Sequence, residues 1–501
     1  MVGVPGRSKA CKTCRSRRVK CDLQRPSCGQ CQRRQVTCGG YERQLIFVNN
    51  TSQEVPSSTF RLGNKAYSTA DRGSERTLTR APPSPQTIHQ HAFVSRASEE
   101  RMVGWFWSTY LPNGRSASSE SAQFSLYGWT TLIRDMYDKN NMVRAAVLAS
   151  VLGRMAGVED SPTIRRKSHE LYGWTLLSLA RILQEPSKHP CYLILSALKL
   201  LGFYELWSRS DESSHPNPFK AWSSHVTGNA AFILLRDPSA FIEGHAHRLF
   251  ADSRYGQAIV GIKLRKPSPL AQPEWKTIPW KIIQKTPRDS LLDIMIELPG
   301  IYEEVDSISA CKDRNSQQDR RRQLRARCWS LSNDLQSWEA VSGRATLKFA
   351  ESVLEAGNQV HSHPLSPDDL SKGILVLIYW AVCIMLYDVL KSDADLDPSF
   401  SQVSNIRPRF AEPSIYCRKV AALLPCFLTP DTSTNYLILY PVGTALQYQR
   451  KIDKGTMSKE QVALMQAFTG NEGKTAMAFM NDAHGFKGST SNSSSDQKPL
   501  T

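Results

Sequence analysis

Long hydrophobic runs are missing from this chain of 501 residues. The longest, residues 374–387, has 14 residues between Lys372 and Asp388, whereas roughly 20 are needed to span a bilayer. We therefore predict a buried core helix there and no membrane partner. Residues 1–10 contain no apolar core of a signal peptide, so we expect the thiols to stay reduced.

Sequence motifs of catalysis are also missing. There is no nucleophile elbow, no glycine-rich phosphate loop and no zinc-binding His-Glu-x-x-His helix in the sequence. The close histidine pairs, His245 with His247 and His361 with His363, have no identifiable partner ligands. We predict that the protein is not an enzyme.

Apolar heptads are missing between Gly39 and Arg96. The segment 49–96 instead contains seven Ser, six Thr and four Pro, a composition typical of a flexible, disordered linker. Prolines and glycines interrupt any helix there, namely Pro56, Gly63, Gly73 and Pro82. We expect residues 1–96 to be monomeric, and a homodimer to form, if at all, through the region that follows.

Cysteine is concentrated in one short segment. Six of the 12 cysteines are separated by 2, 6, 6, 2 and 6 residues: Cys11, Cys14, Cys21, Cys28, Cys31 and Cys38. Two separate four-coordinate zinc ions need eight ligands, so six thiolates can serve two ions only if two sulfurs bridge. The pattern predicts two Zn(II) ions, bridged by the first cysteine of each half, Cys11 and Cys28. A disulfide framework fits less well, because we expect reduced thiols.

Positive charge is concentrated in the same segment. Residues 1–48 contain eleven Lys or Arg and two carboxylates, which is a formal +9 of the chain's +17. A cation cluster this dense attracts a polyanion, with an affinity that falls steeply with salt. We therefore expect nucleic acid as a partner of this segment.

The cysteine spacing, the basic run Arg15-Ser16-Arg17-Arg18-Val19-Lys20 and Pro26 between the halves closely resemble the fungal binuclear zinc cluster (Zn2Cys6) transcription regulators. The resemblance implies a DNA-binding domain at residues 1–48 and a protein in the nucleus. Its partners would be double-stranded DNA and the transcription machinery, and some relatives with this layout control secondary-metabolite genes.

The resemblance also implies roles for the basic run. The short helix after Cys14 enters the major groove, and the position held by Arg18 reads a CGG-type triplet. Arginine suits that position, because its fork can pair with guanine O6 and N7 together. Arg15, Arg17 and Lys20 are better interpreted as phosphate contacts, which set the register without reading sequence.

Helical patterns dominate residues 97–485, and convincing strand alternation is absent. Apolar residues recur every four positions from Val143 to Met155, with Gly157 where a helix would end. Proline follows a capping residue at Ser161-Pro162, Asn217-Pro218 and Ser366-Pro367, which predicts helix starts. Further helices are predicted at 98–110, 290–306, 317–340, 413–425 and 458–468.

We therefore predict an all-α protein: a small zinc cluster, a linker, a large helical domain at 97–485 and a disordered tail at 486–501. The helical region resembles the regulatory domain that follows the cluster in many of these fungal proteins, although its sequence displays no effector pocket. The basic residues Arg320, Arg321, Arg322, Arg325 and Arg327 are predicted to form a solvated helix face.

Two hypotheses on function remain open at this point. One is a sequence-specific DNA-binding transcription regulator, with activation or repression undecided. The other is an interaction protein whose zinc module docks to protein or RNA. The basic residues between the zinc ligands favour the first hypothesis, and binding to duplex DNA separates the two.

Overall fold

The chain divides into two units, Met1–Thr59 and Phe60–Thr501, which are described separately below. A computed structural model describes residues 11–17, 19–24, 27–38, 96–110, 121–126, 128–207, 218–356, 365–396, 409–428, 436–454, 457–469, 477 and 479–481. Residues 49–95 of the predicted linker and the predicted tail, 486–501, lie outside these ranges. The bounds of the four predicted domains therefore stay predictions.

Every regular element in these ranges is a helix, so the all-α prediction is confirmed. The described part of the first unit contains two short helices, α1 (Lys12–Ser16) and α2 (Gly29–Arg33). The described part of the second unit contains further helices, all but α10 longer than these and joined in places by 3-10 turns: α3 (Arg96–Tyr110), α4 (Gly128–Tyr137), α5 (Asn141–Glu159), α6 (Pro162–Ile182), α7 (Cys191–Trp207), α8 (Pro218–Leu234), α9 (Gly244–Leu264), α10 (Pro273–Thr277), α11 (Pro287–Met295), α12 (Leu298–Ala310), α13 (Arg314–Ala340), α14 (Arg344–Ala356), α15 (Pro367–Leu396), α16 (Pro413–Leu423), α17 (Tyr436–Asp453) and α18 (Lys459–Met465).

Helix starts follow the predicted proline and capping signals. The hydroxyl of Ser161 accepts the N–H of Ile164 at 3.4 Å, and that of Ser366 accepts the N–H of Asp369 at 3.1 Å. Each bond satisfies one of the free N–H groups of the first turn. Helix α8 begins at Pro218, while its predicted cap, Asn217, lies outside the described residues.

Two predicted helix ends are wrong. The predicted helix 290–306 is two helices, because α11 ends at Met295 and α12 begins at Leu298. Pro299 in the first turn of α12 has no N–H to continue the earlier helix. Helix α5 does not end at Gly157 but runs to Glu159, and Asp160 adopts the left-handed conformation (φ 49°) that ends it.

The apolar run 374–387 forms the centre of the second unit. All its side chains are buried, and α15, which contains them, packs against α13, α14, α16 and α17. By length and composition alone, Pro367–Asp393 could cross a membrane, since its mean hydropathy reaches 2.2, yet 83% of that window is buried within the chain. This is the burial expected of a core helix.

Candidate metal centre and nucleic-acid interface

The first unit is built from two similar halves. Cys11 precedes α1, and Cys28 caps the start of α2. The N–H of Cys14 donates to the sulfur of Cys11 at 3.3 Å, and the N–H of Cys31 donates to the sulfur of Cys28 at the same distance. In each half a helical turn therefore directs an N–H at a sulfur, which favours the thiolate.

The third cysteine of each half follows a second shared contact. The N–H of Val19 donates to the carbonyl of Cys14 at 3.0 Å, and the N–H of Val36 donates to the carbonyl of Cys31 at 3.1 Å. These bonds end both helical turns in the same way, so that Cys21 and Cys38 approach the other sulfurs. The hydroxyl of Thr13 donates to the carbonyl of Thr37 at 2.9 Å and joins the halves.

The six predicted ligands come together in two overlapping groups of four sulfurs, each within 4.8 Å of one another. One group contains Cys11, Cys14, Cys21 and Cys28, and the other contains Cys11, Cys28, Cys31 and Cys38. Cys11 and Cys28, the residues predicted as bridges, belong to both groups. Their ligand roles stay predictions.

The spacing of the sulfurs fits tetrahedral zinc. A Zn–S bond of about 2.3 Å places two sulfurs of one tetrahedron about 3.8 Å apart. The Cys11 and Cys28 sulfurs are 3.6 Å apart, those of Cys14 and Cys28 3.6 Å, and those of Cys11 and Cys31 3.8 Å. Disulfide bonds need about 2.05 Å, and all six cysteines are free.

The burial of the thiols also indicates that the site binds a cation. Burial raises the pKa of Cys11, Cys14, Cys28 and Cys31 above the usual value. Four enclosed thiolates would repel one another, whereas zinc stabilises them and displaces their protons. The donor set therefore fits a resident pair of Zn(II) ions.

Asp22 and Gly29 support the site, and neither role was predicted from the sequence. The Asp22 carboxylate accepts the N–H of Gly29 at 3.1 Å at the start of α2. A Cβ on Gly29 would lie 2.6 Å from that carboxylate, so a larger residue would displace it. The one signal in the sequence is a glycine directly after the bridging position Cys28.

The predicted DNA contacts are only partly described. Arg17 and Lys20 are exposed and follow α1, and Arg15 lies within α1. Arg18, the predicted base-reading residue, lies outside the described residues. In the second half Arg34 is exposed, while Arg33 lies 3.8 Å from Asp22. The described cations are therefore exposed on the module that contains the sulfur groups.

Comparison with known proteins defines the class of this metal centre. Residues 9–45 match the fungal Zn(2)-Cys(6) binuclear cluster domain. The N-terminal module belongs to that family, and its cofactors are two zinc ions.

Two curated relatives are similar to a short part of the chain. One is Sterol uptake control protein 2 of Candida albicans, 38% identical over 86 residues, or 16% of this chain and 12% of the relative. The other is Arginine metabolism regulation protein II of Saccharomyces cerevisiae, 49% identical over 43 residues, or 8% of this chain and 5% of the relative. The chain thus spans only a small part of either relative. No solved structure matches it significantly.

Proposed function

We propose that the protein is a zinc-dependent, sequence-specific DNA-binding transcription regulator of RNA polymerase II genes, and not an enzyme. The observation that carries the proposal is a double thiolate site with exposed cations beside it, Arg17 and Lys20. A small module can supply phosphate contacts from such positions while zinc holds its fold. The family of the module and the names of both relatives support the same function.

At the DNA, Arg18 reads a guanine of a CGG-type triplet in the major groove, and Arg15, Arg17 and Lys20 contact phosphates. The protein then acts in the nucleus with the transcription machinery. Control of secondary-metabolite genes is the finer proposal, based on the family resemblance alone. Genome-wide mapping of bound sites, paired with transcript changes on deletion, tests the target genes and the sign of regulation.

Binding of the full chain to duplex DNA tests the roles proposed for the individual arginines. Arg18→Ala is expected to cost about 1–3 kcal/mol on a CGG duplex and to relax the preference for that guanine. Arg15→Ala is expected to weaken CGG and scrambled duplexes alike. Arg18→Lys retains a donor and is expected to be tolerated.

The control is the ratio of affinities for the two duplexes, measured at one salt concentration. Equal loss on both duplexes for Arg18→Ala and Arg15→Ala would contradict the division of roles. Tight binding to RNA or protein without binding to duplex DNA would instead favour the docking hypothesis.

If a homodimer forms, we propose that it uses the second unit, Phe60–Thr501, which is called the helical unit from here on. We expect residues 1–96 to bind one triplet as a monomer, because that segment has no heptads. Pairing through the helical unit would raise affinity for two triplets by effective concentration alone. Sedimentation of the fragment and the full chain with one-triplet and two-triplet duplexes tests this, and a fragment that is dimeric without DNA would contradict it.

A further inference from the structure

The helical unit contains a partly open cavity that its sequence did not reveal. Its volume is about 160 Å³, and its walls come from α4, α7, α8, α9 and α17 together with residues 479 and 480. Since one water position needs about 10–15 Å³, the space admits a molecule of on the order of ten non-hydrogen atoms.

Most of the wall is apolar and aromatic. Trp129 and Phe203 meet edge to face with centroids 5.5 Å apart, and Trp222 and Phe479 do the same at 5.4 Å. Such a surface favours the rings or short chains of a mainly apolar ligand.

One wall is polar. Asp252 and Tyr255 lie three residues apart on α9, and therefore on one face of that helix. Lys199 of α7 joins this wall, because its ammonium donates to the backbone carbonyl of Asp252 at 3.2 Å. All three residues line the cavity.

The polar wall has unused hydrogen-bonding capacity. Asp252 Oδ2 and the Tyr255 hydroxyl are buried, and neither has a hydrogen-bond partner among the described residues. Unpaired buried oxygens are rare because they lose their hydration without compensation. A ligand hydroxyl group can donate to a carboxylate or accept from a phenol, so it could pair with either oxygen.

The charges at the polar wall balance. Lys199 and Asp252 have opposite charges, and Arg288, which bonds the other oxygen of Asp252, is paired in turn with Asp289 at 2.9 Å. Burial lowers the pKa of Lys199 to about 8, against the attraction of Asp252. Burial also raises the pKa of Asp252, against the attraction of Arg288 and Lys199. An anionic or cationic ligand would upset this balance, whereas a neutral one would not.

We propose that this cavity is a binding site for a small, neutral, mainly apolar molecule that carries a hydroxyl group. The proposal does not depend on DNA binding, since occupancy of the helical unit is measured directly.

Calorimetric titration of the full, zinc-loaded chain with 1-naphthol tests the proposal. Saturable binding of one molecule per chain is expected, with 1-naphthoate and naphthalene weaker by about tenfold or more. Absence of 1-naphthol binding, or equal binding of all three probes, would overturn the proposal.

Substitutions in the cavity wall test where 1-naphthol binds. Val226→Phe fills the cavity and is expected to abolish binding, whereas Val158→Phe changes a side chain that is 61% exposed outside the lining and is expected to leave binding unchanged. Gly256→Ala is the milder second variant, since its Cβ would lie 3.5 Å from Trp222 and Val226, an ordinary contact; it is expected to weaken binding severalfold. Undiminished binding by either cavity variant would overturn the proposal.

Tyr255→Phe tests the polar wall. It removes a hydroxyl that has no hydrogen-bond partner in the described part of the chain, so the melting temperature is expected to stay the same or rise while 1-naphthol binding weakens severalfold. Unchanged affinity for 1-naphthol would exclude Tyr255 and the assignment of the polar wall.

Discussion

Two basic runs look alike in the sequence and differ in the structure. In the first unit Arg17 and Lys20 are exposed, and neither forms an ion pair with any described residue. In α13, Arg320 lies 2.9 Å from Glu304, Arg327 lies 2.8 Å from Glu297, and Arg325 is buried against Asp393. Cations with partners inside the fold stabilise it, whereas cations without partners remain available to an external polyanion.

This comparison corrects one sequence prediction. The run from Arg320 to Arg327 was expected to be a solvated helix face, and that is wrong for Arg325 and Arg321, whose side chains are only 10% and 16% exposed. Arg322, at 69% exposure, fits the expectation. The partner of Arg325 is 68 residues away in sequence, so no local pattern could reveal it.

The largest expected difference between the two units is the dependence of their folding on bound metal. Structural zinc supplies about 10–16 kcal/mol to small zinc modules, so chelation is expected to unfold the first unit and to leave the helical unit folded. Elemental analysis of the full chain before chelation should give two zinc ions. Circular dichroism should retain its helical signal afterwards, while DNA binding is lost.

Cysteine substitutions provide the matched control for the metal prediction. Cys28→Ser should reduce the zinc content, because Cys28 belongs to both sulfur groups. Cys311→Ser in the helical unit should leave two ions bound. One ion per wild-type chain, or DNA binding that survives chelation, would contradict the bridged site.

The next largest effect is the difference in stability lost when a buried or an exposed arginine of α13 is replaced. Arg325→Met leaves Asp393 buried near a weaker partner, Arg321 at 3.8 Å, and is expected to lower the free energy of unfolding by about 3–5 kcal/mol. Arg322→Met removes only an exposed pair with Asp319 and is expected to cost less than about 0.5 kcal/mol. Equal losses in urea denaturation would show that burial does not distinguish the two.

A smaller loss of folding stability is expected at low pH. Burial opposes the charge of Asp289, but Arg288, Arg254 and the bonds from Thr286 outweigh it and lower the pKa to about 2 from 3.8. This group contributes stability above pH about 4, on the order of 2 kcal/mol, which is lost as the pH falls toward 2. Urea denaturation between those values measures the loss.

The control for the acid prediction is an exposed carboxylate. Asp289→Asn should flatten the pH dependence over that interval, whereas Asp319→Asn, whose parent side chain is 61% exposed, should not. An unchanged slope for Asp289→Asn would assign the acid sensitivity to other groups.

The smallest effect concerns one exposed cation of the first unit. Arg17→Ala is expected to reduce the log-log salt slope of DNA binding by about one, with little effect on folding. The matched control, Arg322→Ala, removes an arginine of similar exposure from the helical unit and should leave the slope unchanged. A slope unaffected by Arg17→Ala would exclude it from the phosphate contacts.

Local pattern determined much of this protein. The repeated cysteine spacing predicted the zinc module because a metal centre needs particular donors at short range, and those donors are neighbours in sequence. The run 374–387 predicted a core helix for a similar reason, since 14 successive residues without a charge cannot form a solvated helix face. Helix starts at Pro162 and Pro367 followed from capping chemistry, which also acts within one turn.

Tertiary structure decided what distant residues do together. Asp22 meets Gly29 across the zinc module, Arg325 meets Asp393 across two helices, and Lys199 meets Asp252 at the wall of the cavity. No periodic pattern or fixed spacing in the sequence indicates any of these contacts, because each depends on how separate segments pack. The cavity follows from the same packing: an apolar residue such as Trp222 or Leu198 has the same sequence signature whether it faces a core or an empty space.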